Sequence, residues 1–192
     1  MSLDDPVRPP RRWPLSVNRI RRAAGSLPSR RRWREPAQGE DGGRAMADRT
    51  ESSIIVGAPP ADVLDVIADF EAYPEWTGAV REAKVLETDD GGWARAVRFT
   101  LDAGALRDTY TLEYDWDFDE TGLGSVTWGL VEGTILKAMD GRYRLRPSDV
   151  GTEVTYTLAV EVRMPMLGML RRKAEKAIID TALHELKRRV EG

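Results

Sequence analysis

The residues of this chain best suited to chemistry are one arginine and two tyrosines. Arg95 shares strand parity with Val97, Phe99 and Leu101, which points a guanidinium toward an apolar face. A buried arginine must be paired or sit at a mouth. Arg95 is therefore either a rim residue beside a hairpin or a bidentate partner for a carboxylate, phosphate or enolate. Tyr110 and Tyr114 lie on one face of a single alternating strand and could pass a proton to a reacting group. Arg95, Tyr110 and Tyr114 are thus the catalytic candidates, none of them carried by a motif. His184 follows Asp180 by one turn as an exposed helix pair, and no nucleophile-elbow glycine pattern accompanies it. Asp115, Asp117 and Asp119 alternate on an outward face, whereas carboxylate pairs for glycosidic chemistry need an enclosed site. With no cysteine and one histidine, thiolate nucleophiles, disulfides and a two-histidine metal site from one chain are excluded. Neither a metal nor a cofactor is expected.

The net charge of −3 hides a split. Residues 1–45 hold eleven arginines and five acids, a balance of +6, and the remainder carries −9. The first stretch is rich in proline and glycine, has no lysine and keeps no helical or strand period. Such a segment cannot bury enough apolar surface to offset its ordering entropy. One reading makes it a basic arm for nucleic acid or an anionic surface, with Trp13 and Trp33 as stacking groups. The favoured reading is a disordered Arg/Pro-rich leader from a mis-assigned start, with Met46-Ala47-Asp48-Arg49 as the natural beginning. Domain boundaries are accordingly set at 1–45 for the leader and 46–192 for the fold. No apolar run reaches the ~18–20 residues of a membrane span, and no signal-peptide pattern opens the chain. A cytoplasmic protein is expected.

The rest of the chain positions these residues. A short apolar strand at 51–56 is broken by Gly57-Ala58-Pro59-Pro60. Val63, Val66, Ile67 and Phe70 then repeat with helical spacing over 61–70, and proline suits the first turn of such a helix. A second helical turn over 71–76 ends at Gly78. Six strands follow at 80–87, 93–101, 107–118, 125–131, 135–146 and 151–162, separated by turn residues such as Asp89-Asp90-Gly91-Gly92. The third alternates cleanly, with Tyr110, Leu112, Tyr114, Trp116 and Phe118 on one face. In the fifth, a bulge at Asp140-Gly141 would bring Leu136, Ala138, Tyr143 and Leu145 to one face and bend the sheet. The order predicts an α+β fold, an antiparallel meander with helices on one side.

The last helix reads as a lid. At 100° per residue Leu167, Leu170, Ala174, Ala177, Ile178 and Thr181 form a stripe, extended by Ala182, Leu186 and Val190. Lys173, Lys176, Asp180, His184 and Lys187 gather opposite. The stripe, taken as the buried one, is small where the facing strands are bulky, so either aromatic side chains fill the gap or a cavity remains.

From Met46 onward the chain resembles the START-like helix-grip superfamily (SRPBCC), in its polyketide cyclase/dehydrase and coenzyme Q-binding branch. The resemblance is carried by 58–70 with Tyr73-Pro74-Glu75-Trp76, by Leu136-Lys137-Ala138-Met139-Asp140-Gly141-Arg142-Tyr143, by Gly151-Thr152-Glu153-Val154-Thr155-Tyr156 and by the final helix. It implies a curved seven-stranded antiparallel sheet wrapped around the C-terminal helix, with two short helices after the first strand and a deep apolar cavity between. The lining expected is Trp76, Arg95, Val97, Phe99, Tyr110, Leu112, Tyr114, Trp116, Trp128, Leu136, Tyr143, Tyr156 and Leu158, with Ala174, Ile178 and Thr181 from the helix. Buried tyrosine hydroxyls and tryptophan N–H groups want partners and would supply the few polar handles of a ligand pocket. Three functions follow: carrying a hydrophobic small molecule (lipid, quinone or polyketide-like); aromatase/cyclase or dehydrase action through the cavity Arg and Tyr; or a ribosome-directed interaction module. The acidic domain argues against nucleic acid, and the first reading leads.

Overall fold

The structure, a computed structural model, describes residues 49–103, 106–163 and 168–192. The leader expected at 1–45 and Leu167 lie outside the described residues. Strand β1 (Thr50–Val56) leads to helix α1 (Pro60–Ala68), a 3-10 turn (Phe70–Ala72) and the single-turn helix α2 (Tyr73–Trp76). The strands β2 (Val80–Thr88), β3 (Ala94–Ala103), β4 (Leu106–Phe118), β5 (Gly124–Gly133), β6 (Leu136–Ser148) and β7 (Gly151–Val162) follow, and α3 (Gly168–Glu191) closes the chain.

All seven strands form one antiparallel sheet in the order β1-β7-β6-β5-β4-β3-β2. Consecutive strands pair as a meander except β1 and β2, which the short helices carry to opposite edges. Register shifts in β2–β3, β4–β5 and β6–β7 bend the sheet. The α+β helix-grip architecture expected from the sequence is the one found. Helix α3 packs on β1 and β7 and against α1 and α2. No described helix is long and apolar enough to cross a membrane.

The β6 bulge sits elsewhere than the sequence suggested, and β3 carries one that it did not suggest. In β6 the shift falls between Leu136 and Ala138, not at Asp140-Gly141. Lys137 is the extra residue, and beyond it Met139, Gly141, Tyr143 and Leu145 share the parity of the inner face while Ala138 leaves it. Gly141 is a close-approach position instead: it pairs with Trp128, and a Cβ there would lie 2.2 Å from the indole. In β2–β3, Thr88 faces Ala94 while Glu87 faces Ala96, so Arg95 is bulged out. Ala94 is buried and Arg95 exposed, which corrects the inward placement of the guanidinium.

The helix stripe is also corrected. Helix α3 buries Glu175, Ile179, Leu183 and Leu186. Leu170, Ala174, Ala177, Ile178 and Thr181 are exposed, although Leu186 is buried and Ala182 half-buried as expected. The buried face contains a carboxylate, which a search for apolar periodicity rejects. The sheet edge explains it. Strand β1 pairs with β7 only as far as Leu158, and beyond that point the Val160 N–H donates to Glu175 Oε1 at 2.9 Å. The Thr50 hydroxyl donates to Oε2 at 2.7 Å, and Arg171 Nε stands 3.9 Å from Oε1. Glu175 thus supplies the acceptor that a longer β1 would have given.

Candidate functional site

Every tyrosine of the chain is directed inward. The five are Tyr73, Tyr110, Tyr114, Tyr143 and Tyr156. Strand alternation explains four of them: Tyr110 and Tyr114 from β4, Tyr143 from β6 and its register partner Tyr156 from β7. Tyr73 comes from α2, which the β1–β2 crossover lays over the concave face.

The rings touch in a continuous wall. Trp76 meets Tyr73 at 4.8 Å and Tyr73 meets Phe70 at 5.4 Å. Phe70 lies 4.8 Å from Tyr114 and 6.0 Å from Phe99. Tyr114 reaches Trp128 at 5.9 Å, and Trp128 stands 5.4 Å and 5.6 Å from Tyr143 and Tyr156, themselves 4.4 Å apart. Phe99 stacks on Tyr110 at 5.5 Å. These tilted and offset geometries suit the ring quadrupoles.

The polar ends of this wall are mostly unpaired. Tyr73 donates to the Ile67 carbonyl at 2.9 Å. Among the described residues no hydrogen bond reaches the hydroxyls of Tyr110, Tyr114, Tyr143 or Tyr156. The Trp76 Nε1–H is buried and has no partner either, whereas Trp116 Nε1 donates to the Ala94 carbonyl at 2.8 Å. Burial pushes all five phenols above their ordinary 10.0, and neighbouring tyrosines add to the rise for Tyr73, Tyr114 and Tyr156. Asp108 adds to it at Tyr110; Tyr73 and Glu185 do so at Tyr143. The hydroxyls are therefore protonated donors at neutral pH, not bases.

The inner wall presents no unpaired charge among the described residues. Asp108, at the start of β4, is 5 % exposed, but its carboxylate accepts from the N–H groups of Thr134, Ile135 and Leu136 at 2.9–3.0 Å. Burial pushes its carboxyl up, and the backbone bonds of Leu136, Ile135, Thr134 and Thr109 outweigh this, holding it below its ordinary 3.8. It closes the β5–β6 turn and offers nothing to a ligand. Among the described residues no His, Cys, Asp or Glu cluster of metal-binding type occurs. A cleft of about 300 Å³ opens where α2 meets the end of α3, lined by Glu75, Trp76, Glu185, Arg188, Arg189 and Gly192. There the Gly78 N–H donates to Glu185 at 3.1 Å and Arg189 pairs with Glu75 at 3.0 Å.

Of the residues singled out in the sequence, the structure brings together Phe99, Tyr110, Leu112, Tyr114, Trp116, Trp128, Tyr143 and Tyr156 on the inner face, with Trp76 at the α2 end. Val97, Leu136 and Leu158 belong to its buried aliphatic part. Arg95, Ala174, Ile178 and Thr181 stand apart from it, exposed. His184 Nδ1 is 2.6 Å from the Asp180 carbonyl, and the Asp180 carboxylate takes Lys176 instead. Asp115, Asp117 and Asp119 are exposed. Phe70 and Tyr73 were missed as site residues. Their signal was present in the aromatic spacing Phe70, Tyr73, Trp76, an i, i+3, i+6 repeat on one side of the short helices.

Comparison with known proteins places this arrangement. A family model described as polyketide cyclase / dehydrase and lipid transport matches residues 56–187. A START superfamily protein from Mycobacterium smegmatis superposes with a TM-score of 0.69 at 19 % identity, over 74 % of this chain and 97 % of that one. An aromatase/cyclase, Zhui, from Streptomyces sp. R1128 gives 0.61 at 20 % identity, over 74 % and 93 %. The di-domain aromatase/cyclase BexL of the BE-7585A biosynthetic pathway gives 0.60 at 18 % identity, over 74 % of this chain and 46 % of that one. At these identities the neighbours share the fold, and activity does not follow from them.

Proposed function

The chain belongs to the polyketide cyclase/dehydrase and lipid transport family, and from that premise we propose that it binds a neutral hydrophobic small molecule, such as a lipid, quinone or polyketide-like compound, against its tyrosine-lined inner face. One observation carries the reading: four phenol hydroxyls without protein partners converge on an aromatic interior that has no unpaired charge among the described residues. Enclosing these donors among rings without an acceptor carries a desolvation cost. An occupant with acceptor oxygens offsets that cost, and its apolar body covers the rings. A carboxylate or phosphate would find no cation there, since Arg95 is outside. The reading places the protein in the cytoplasm as a carrier or sensor. The test is native mass spectrometry of the purified full chain, followed by displacement of a fluorescent lipid analogue. A retained small molecule or saturable displacement is expected, and their joint absence would remove the proposal.

A second reading is favoured by the protonation state of the phenols. Tyr110 and Tyr114 could donate hydrogen bonds to a developing enolate oxygen, the stabilisation an aromatase/cyclase or dehydrase step needs. This reading no longer includes Arg95. It predicts that Tyr110→Phe and Tyr114→Phe bind ligand yet lose turnover of a polyketone substrate. Full turnover in both variants would exclude it.

A further inference from the structure

The stripe that the sequence marks as apolar on α3 is real but outward. Leu170, Ala174, Ala177, Ile178 and Thr181 follow one another at helical spacing on the face opposite Glu175, Ile179 and Leu186. Leu170 is 56 % and Ile178 43 % exposed, and Met169 in the first turn is 86 % exposed. No described element packs on this face. Its flanks are cationic. Lys173 and Lys176 border one side and Arg171 the other, with Arg172 in the same turn. Of the acids here, Glu175 is turned into the sheet edge beside Arg171 and Asp180 pairs with Lys176, so with Arg171, Arg172, Lys173 and Lys176 the flanks keep a net positive charge.

We propose that this half of α3 is a docking surface for an anionic lipid membrane, lying in the interface with the Leu170–Ile178 stripe toward the acyl chains. The charge pattern selects the occupant. An in-plane helix wants an apolar face of modest width bordered by lysine and arginine, whose stems reach along the apolar surface while their charges meet headgroups. A second copy packing on the same face by two-fold symmetry would bring these cations against their own equivalents. Residues 1–45, with a balance of +6, would be repelled in the same way. The domain carries −9, and in the second cation cluster of α3 Lys187 and Arg189 are paired with Glu191 and Glu75, so the attraction centres on this patch and orients the molecule. The proposal stands independently of the ligand reading, because it uses none of the inward residues.

The test is co-sedimentation of the full chain with vesicles of phosphatidylcholine mixed with phosphatidylglycerol, against vesicles of phosphatidylcholine alone. Binding to the mixed vesicles is expected, with release as salt rises to about 0.5 M. The double variant Leu170→Ser/Ile178→Ser and the variant Lys173→Glu should each weaken it by about fivefold or more. All three positions are exposed, so circular dichroism and the melting midpoint should be unchanged. Equal binding to both vesicle types, absence of binding, or binding that survives both variants would overturn the proposal; the last would place the contact elsewhere, residues 1–48 included. A lipid-free dimer that the double variant dissolves would assign the face to a second copy and overturn it equally.

Discussion

The interior has two ends built on different terms. Where α1 packs on α3, Val63, Leu64, Ile67, Ile179, Leu183 and Leu186 are at most 2 % exposed and entirely aliphatic. Along β4 to β7, Tyr110, Trp128, Tyr143 and Tyr156 are 7–9 % exposed and end in polar groups. The first end has nothing to offer a ligand, because each of its atoms is already covered. The second is enclosed well enough to raise phenol pKa values, yet it leaves four hydroxyls without protein partners. Stability is thus concentrated at one end and recognition at the other, and substitutions should separate them.

The largest effect is expected from the aliphatic end. Leu183→Ala should cost about 2–5 kcal/mol in chemical denaturation while ligand affinity per folded molecule stays within about twofold. A matching loss of affinity would break the separation. Next comes Gly141→Ala, which drives a methyl into the Trp128 indole and should cost about 1–3 kcal/mol. Because Trp128 touches Tyr114, Tyr143 and Tyr156, this variant should also shift tryptophan fluorescence and disturb binding.

Asp108→Asn should cost about 1–3 kcal/mol at neutral pH by weakening the grip on the β5–β6 turn. The folded pKa of Asp108 is lowered, so its contribution is complete above the ordinary 3.8 and fades as pH falls through the lowered value. Wild type and variant should therefore converge in acid, and an undiminished gap there would contradict the assignment. The smallest effect on stability belongs to Tyr143→Phe/Tyr156→Phe, which should leave it unchanged or raise it by up to about 1 kcal/mol, since no protein hydrogen bond is lost.

The tyrosines also provide a titration of the enclosed end. Their folded pKa values are raised, so the stabilisation from burying neutral phenols is full below the ordinary 10.0 and is lost as pH rises above it. Tyrosinate absorbance should stay flat through that value and then rise together with loss of the folded circular dichroism signal. Gradual ionisation near 10 in the folded protein would show that the ring wall is open to water.

Much of the fold was legible because strand alternation is a local signal. The Tyr110-to-Phe118 series in β4 has one parity throughout, and its inner face followed from the sequence. Arg95 and Ala138 went wrong for one shared reason: a single bulged residue reverses parity, and neither Arg95 nor Lys137 carries a mark of its own. The face of α3 was inverted because both sides of the helix have apolar residues. The choice was made by Glu175, whose role depends on where β1 stops pairing, a fact of sheet topology rather than of helix periodicity. Tyr73 was visible as a family-like residue, but its inward direction depends on the crossover that carries α2 over the sheet.

The most direct test of the central claim is displacement of a fluorescent lipid analogue by a neutral polycyclic quinone, measured on wild type and on Tyr143→Phe/Tyr156→Phe. The account predicts saturable binding to the wild type and an affinity about tenfold weaker in the folded variant. Saturable binding of equal strength in both, or none in the wild type, would contradict it.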